Sequence, residues 1–142
     1  MLLRLTKQFS FEMAHALPAY EGKCHNIHGH SYKLFVTVEG LPLQQQGAST
    51  DGMVLDFGTI KQIVNQTIIE RFDHALVLPR MEGAELCLGN YSAKLIVVDF
   101  QPTTENLLLH FAQLLQGQFP QGTRLSSLKL FETESSCAEL VL

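Results

Sequence analysis

Apolar and polar side chains alternate from the start of the chain. Leu3, Leu5, Lys7, Phe9, Phe11, Met13 and His15 fall on one face, and Arg4, Thr6, Gln8, Ser10 and Glu12 on the other. A period of two is that of a half-buried β-strand, so a first strand is predicted that ends with His15 on its apolar face. A second alternation runs from about His28 to Glu39, with His28 and His30 on one face together with Tyr32, Leu34, Val36 and Val38. The loop 16–27 between them carries Pro18, Gly22 and Cys24. Gly40 and Pro42 end the second strand, residues 44–52 read as a polar loop, and Met53-Val54-Leu55 reads as a short third strand returning to the sheet.

Helical spacing takes over after Asp56. Phe57, Ile60, Val64, Ile68 and Phe72 recur at turn intervals, with Asp56 as N-cap, and the helix ends where Asp73-His74 begins. From Ala75 to Phe100 the pattern is least readable: Ala75 to Leu78 is apolar enough for a strand but is not counted as one, Pro79 to Ser92 reads as a surface excursion, and Lys94 to Phe100 reads as a strand. A second helix opens at Pro102-Thr103-Thr104-Glu105-Asn106, with Thr103 as N-cap and Glu105 favourable to the helix dipole. It buries Leu107, Leu108, Phe111, Leu114 and Leu115 and closes at Gly117 and Pro120. The chain finishes as a hairpin, Arg124 to Glu132 and Cys137 to Leu142, in which Leu128, Leu130 and Glu132 share a face. The predicted order βββαβαββ describes a single α+β domain over residues 1–142, with an antiparallel sheet and both helices on one face.

Candidate chemistry gathers around Lys23-Cys24-His25-Asn26-Ile27-His28-Gly29-His30. Alternation puts His28 and His30 side by side. If the first two strands are neighbours, His15 joins them, giving three imidazole nitrogens with a fourth position open, the usual pattern of a catalytic zinc. A lone strand-end histidine is ordinarily a hydrogen-bonded core residue, and a lone cysteine a small hydrophobe. Two imidazoles desolvated together, however, are costly without a metal or acids. Asp73-His74 has two readings: a carboxylate orienting an imidazole, or two solvated residues at a helix end. Glu132 likewise is either turned to water or a buried anchor for paired N–H donors.

The 142 residues carry a net charge of −4, with 46% hydrophobic and 17% charged residues and a mean hydropathy of +0.10. That apolar surplus suits burial between copies of the chain. The charge, with no Lys/Arg cluster, argues against nucleic acid or an anionic membrane as partner. Cys24, Cys87 and Cys137 form no disulfide framework, no signal-peptide pattern precedes the first strand, and apolar runs are far too short to span a membrane. A cytoplasmic protein is the expectation.

The motifs resemble those of the 6-pyruvoyltetrahydropterin synthase and 6-carboxytetrahydropterin synthase family across nearly the whole chain. Phe11-Glu12-Met13-Ala14-His15-Ala16-Leu17, Cys24 with three residues before His28-Gly29-His30-Ser31-Tyr32, Gly52-Met53-Val54-Leu55-Asp56-Phe57, Phe72-Asp73-His74, Pro102-Thr103-Thr104-Glu105-Asn106 and Phe131-Glu132-Thr133 stand in family order. The short cysteine-to-histidine spacing resembles the carboxy branch, which serves queuosine and other deazapurine pathways.

The resemblance implies a tunnelling fold whose sheets join into a β-barrel, as a trimer or a hexamer of two stacked trimers, with active sites between subunits. It implies 7,8-dihydroneopterin triphosphate as substrate, converted to 6-carboxy-5,6,7,8-tetrahydropterin with release of acetaldehyde and triphosphate. His15, His28 and His30 would hold zinc, Cys24 would be the proton-transferring base, Asp73 and His74 its relay partners, and Glu132 would accept two N–H bonds from the pterin ring. The alternatives are a pyruvoyl-type synthase that eliminates triphosphate without cleaving the side chain, and a pterin- or metal-binding homologue without turnover. Two features depart from the family pattern: Ala75-Leu76-Val77-Leu78-Pro79 replaces the Leu-Asn pair that usually follows Asp-His, and the segments 43–51 and 79–92 are long. Lys23 and Arg71 are the candidates for contacting triphosphate.

Overall fold

The computed structural model describes residues 1–81, 88 and 91–142. Its elements are β1 (Leu3–His15), β2 (His28–Gly40), the helix α1 that starts at Phe57–Val64, β3 (Ala75–Pro79), β4 (Leu95–Val98), α2 (Thr104–Leu115), β5 (Thr123–Thr133) and β6 (Ser136–Val141). Among the described residues the strands form one sheet in the order β4-β3-β1-β2-β5-β6. The block β1, β2, β5 and β6 is antiparallel throughout. By contrast, β3 lies parallel to β1, and β4 parallel to β3. The sheet is therefore mixed rather than purely antiparallel. Parallel strands cannot be joined by a tight turn, and β3 is separated from its parallel neighbour β1 by β2 and α1, which bring the chain back across the sheet.

Both helices cover one face, as the patterns predict. Phe9, Phe11 and Met13 of β1, Tyr32, Leu34, Val36 and Val38 of β2, and Leu125, Leu128 and Leu130 of β5 form one core with Ile60, Val64, Ile68 and Phe72 of α1 and Leu107, Leu108, Phe111 and Leu115 of α2. Each large side chain so buried contributes about 1.5–3 kcal/mol. Both predicted N-caps hold: Asp56 accepts from the Gly58 N–H and Thr103 from that of Asn106. No helix among the described residues is long and apolar enough to cross a membrane.

The middle of α1 departs from a plain helix. Its buried residues are all four apart, and each such step overshoots an α-helical turn by about 40°, so the stripe should drift off the core. Residues Asn65–Ile69 instead form a π turn, followed by one α turn at Glu70–Phe72. The wider turn takes up the drift, and Ile60, Val64, Ile68 and Phe72 all end fully buried.

Met53-Val54-Leu55, expected as a strand, is a bend. The Leu43 N–H donates to the Met53 carbonyl and the Gly52 N–H to the Leu43 carbonyl, each at 2.8 Å, so the segment closes the polar loop on itself instead of joining a ladder. Val54 still reaches the interior. The excursion 79–92 lies mostly outside the described residues, as does Cys87.

The face away from the helices carries a buried charge. Glu39 accepts from Arg4 Nε at 3.1 Å, Arg124 Nε at 2.8 Å and the Ser126 hydroxyl at 2.9 Å, which joins β1, β2 and β5 beside the bulge at Thr37/Val38. The Ser126 hydrogen bond, with those of the two arginines, holds the Glu39 carboxyl below its ordinary range.

His110 on α2 is the unusual group in the helix layer. Its Nε2 is buried without a hydrogen-bond partner, and its ring lies 5.3 Å from that of Phe100 and 6.1 Å from that of Phe72. Burial, aided by the charge of Arg71, lowers its pKa. A histidine with a depressed folded-state pKa favours folding while neutral, so its contribution is complete above about pH 6.5 and is lost as pH falls from there through the folded pKa. Thermal melts of the metal-free protein between pH 7.5 and 5 should show a falling Tm, and His110→Phe should flatten part of that slope. An unchanged slope in His110→Phe would show that the ring accepts its proton without loss.

Candidate functional site

Strand pairing assembles the histidines. In the β1–β2 ladder His15 is the direct partner of His28, and Met13 that of His30, so all three imidazoles meet at one end of the helix-covered face. The Nε2 atoms of His15 and His28 stand 3.1 Å apart, and one ligating atom from each histidine fits within a 4.8 Å cluster. Their other nitrogens are spoken for. His15 Nδ1 donates to the Pro102 carbonyl and His28 Nδ1 to the Asn26 carbonyl, both at 2.7 Å.

A carbonyl only accepts, so both Nδ1 atoms carry the proton and both Nε2 atoms present lone pairs. Two lone pairs held face to face repel unless a cation lies between them. His30 Nε2 is likewise buried with no hydrogen-bond partner. Burial is the main force lowering the pKa of His15 and of His30, so both stay neutral, as a metal ligand must be. The donor set fits a divalent ion that favours nitrogen.

The orienting carbonyls were not evident from sequence, because main-chain acceptors carry no residue signature. Pro102 sits one residue before the N-cap of α2, so the start of that helix is also the support of His15. Asn26 follows the 3-10 turn Lys23–His25.

Three further residues surround the cluster. Glu132 is turned inward, not to water: its Oε1 lies 3.4 Å from His15 Nε2 and 3.5 Å from His30 Nε2. Tyr32, fully buried and stacked on Phe11 at 5.2 Å, brings its hydroxyl to 3.5 Å from His15 Nδ1. Burial first, then the charges of Glu132 and Cys24, raises the Tyr32 pKa and keeps the phenol neutral. Cys24, half-buried in the 3-10 turn, is thus electrostatically within reach of the same pocket. Its loop is closed by the Leu17 N–H on the Cys24 carbonyl at 2.9 Å and by His25 Nδ1 on the Pro18 carbonyl at 2.8 Å.

Asp73 and His74 form a pair of their own. Asp73 Oδ1 accepts from the Glu12 N–H at 2.9 Å and from His74 Nδ1 at 3.0 Å, and the main-chain bond is the chief cause of its lowered pKa. The His74 side chain is 75% exposed, so the pair is both an imidazole held by a carboxylate and a solvated helix end. His74 borders an open cleft lined also by Glu12, Ala14, Gly29, Ser31 and His30 of the histidine cluster. Ala75 and Val77 belong to the core under the helices, so Glu12 and Ser31, one strand position out of step with the core residues, mark the other face of the sheet. Among the described residues no hydrogen bond joins Cys24 to Asp73 or His74. One chain thus brings His15, His28, His30 and Glu132 into one cluster, while Asp73-His74 meets it only across the cleft that His30 also lines. Of the candidate phosphate contacts, Lys23 adjoins Cys24, while Arg71 packs over the Phe72 ring at 5.4 Å.

Comparison with known proteins agrees with this architecture. Residues 4–141 match the family model described as 6-pyruvoyl tetrahydropterin synthase. The chain is 34% identical over 142 residues to the 6-carboxy-5,6,7,8-tetrahydropterin synthase of Haemophilus influenzae, covering 97% of this chain and 98% of that protein. It is 30% identical over 149 residues to the enzyme of the same name from Rickettsia felis, with 98% and 100% covered. Among solved structures, an uncharacterized protein of Wolinella succinogenes superposes with a TM-score of 0.78 at 23% identity, over 99% of this chain and 98% of that one. The 6-pyruvoyl tetrahydropterin synthase of Plasmodium vivax does so with a TM-score of 0.72 at 20% identity, over 99% and 97%. The two structures speak for a shared tunnelling fold, the two relatives for shared descent, and together with the family match they show that the chain belongs to the 6-pyruvoyl tetrahydropterin synthase family.

Proposed function

We propose that this chain is a zinc-dependent 6-carboxy-5,6,7,8-tetrahydropterin synthase, which converts 7,8-dihydroneopterin triphosphate to 6-carboxytetrahydropterin with release of acetaldehyde and triphosphate. The observation that carries the reading is the pair of Nε2 lone pairs on His15 and His28, 3.1 Å apart and each fixed by a carbonyl behind the ring. With His30 they form the three-nitrogen set suited to catalytic zinc. Zinc, when bound, supplies a Lewis acid that makes the hydroxyls of a substrate side chain easier to deprotonate.

The chain's own residues do the rest. Cys24 takes and returns the proton on the side-chain carbons, beside the imidazoles and the buried Tyr32. Glu132 holds the pterin. Both carboxylate oxygens, which hold no hydrogen bond among the described residues, accept N–H bonds from the pterin ring. His74 relays protons through Nε2, with Nδ1–H held by the carboxylate of Asp73. Since Asp73 and His74 are not joined to Cys24 within one chain, the relay is completed between copies in a trimeric or hexameric barrel, which also accounts for the apolar surplus. Lys23, next to Cys24, meets the triphosphate. The product feeds queuosine or other deazapurine synthesis in the cytoplasm.

Metal analysis of purified protein should find about one zinc per chain, and His28→Ala should lower it to background without unfolding the core. Since burial holds the His15 and His30 pKa values below their ordinary value, protons should displace the metal only below about pH 6.5. Retention of zinc by His28→Ala would remove the site as drawn.

Incubation of zinc-loaded protein with dihydroneopterin triphosphate, followed by mass analysis of the pterin and an aldehyde assay, should give carboxytetrahydropterin and acetaldehyde. Cys24→Ala should slow turnover by about 100- to 10,000-fold with zinc content unchanged. Pyruvoyltetrahydropterin without acetaldehyde would assign the other branch of the family, and no product from a folded, loaded sample would leave a binding protein without turnover.

A further inference from the structure

The turn that carries His74 is held in an unusual way. Helices commonly end in a glycine, whose left-handed backbone lets the last carbonyls find partners. Here α1 ends at Phe72, Asp73 is extended, and it is His74 that takes the left-handed conformation, with φ of 61°. That region is unfavourable for an L side chain, so the surroundings must impose it.

Lys94, just ahead of β4, does much of this. Its ammonium donates to the Glu70 carbonyl at 2.9 Å and to the Asp73 carbonyl at 2.8 Å, while its own carbonyl accepts from the Leu76 N–H at 2.9 Å. The Asp73 carbonyl and the His74 N–H belong to one peptide unit. The N–H end is tied to the Glu12 carbonyl at 2.6 Å and the carbonyl end to Lys94. With both ends tied, the plane of that unit cannot turn, and its orientation sets φ at His74. The position of the ring over Asp73 Oδ1 follows from it.

No carboxylate of the described residues lies within ion-pair distance of Lys94. Its ammonium binds main-chain carbonyls at the negative end of a helix, and its charge also adds to the forces that hold the Asp73 carboxyl below its ordinary range. A lysine serving only solubility would not bridge two carbonyls either side of a helix terminus.

We propose that Lys94 is a positioning residue for the Asp73-His74 pair: its ammonium locks the peptide unit that forces His74 left-handed and so aims Nδ1–H at the Asp73 carboxylate. Lys94 touches neither pterin nor metal in this role. The catalytic part of the inference rests on the proposed relay; the structural part does not.

The test uses full-length, zinc-loaded Lys94→Met and Lys94→Arg. In Lys94→Met, kcat should fall about 10- to 100-fold with KM within about twofold of the parent, zinc content and cooperative unfolding being retained. Lys94→Arg, which keeps donors for two carbonyls, should recover most of the rate. An independent readout is the tautomer of the His74 ring, followed by long-range 1H–15N correlation and assigned with His74→Gln. The Nδ1–H form should dominate in the parent and in Lys94→Arg and become mixed in Lys94→Met.

A Lys94→Met protein with parental kcat and an unchanged tautomer overturns the proposal. So does one whose only change is a lower Tm. If Lys94→Met does not fold, Lys94→Gln, a neutral donor to one carbonyl, is read by the same tautomer criterion. If the parent itself does not turn over the pterin, the function reading fails, while the tautomer still decides whether Lys94 positions His74.

Discussion

The register between β1 and β2 is the constraint from which the site follows. Side chains alternate along a strand, so a slip of one residue would set His15 opposite Gly29 and send either the histidines or the core residues to the wrong face. The slip is prevented far from the metal cluster, by the apolar series Phe9, Phe11, Tyr32, Leu34 and Val36, all buried under the helices. Packing energy spread over the whole core therefore fixes two nitrogen atoms to within bonding distance of a common point. The Glu39 network, at the other end of the same strands, ties β1, β2 and β5 by charge where the core thins out.

Much of this was legible in the sequence because it depends on period. The two alternating segments gave the faces of β1 and β2, the helical spacing gave the buried stripes, and Asp56 and Thr103 marked both helix starts through side chains that accept backbone N–H bonds. The convergence of His15, His28 and His30 followed from strand alternation with one assumption about neighbours. What stayed hidden depends on partners that no local pattern encodes. The parallel placement of β3 requires knowing where α1 lands on the sheet. Met53 to Leu55 has the composition of a strand, but its main chain is engaged by the loop it closes, through the Leu43 N–H on the Met53 carbonyl. The π turn leaves only an indirect trace, a run of i+4 spacings too regular for a 3.6-residue repeat. Whether Asp73-His74 and Glu132 are chemical or merely solvated is undecidable by spacing, because it depends on the groups that other strands bring to face them.

The candidate chemistry is split across the sheet. The three histidines and Glu132 lie at the helix-covered side, where burial keeps imidazoles neutral and a phenol un-ionised. Asp73 and His74 sit by an open cleft, where a ring can meet something outside the chain.

The Pro102 carbonyl has a consequence for how such a site varies among relatives. An orienting group made of main chain survives almost any substitution at its own position, because only its location matters. Selection would then act on the length and seating of the segment that delivers it, so that a single inserted or deleted residue between β4 and α2 is graver than most point changes there.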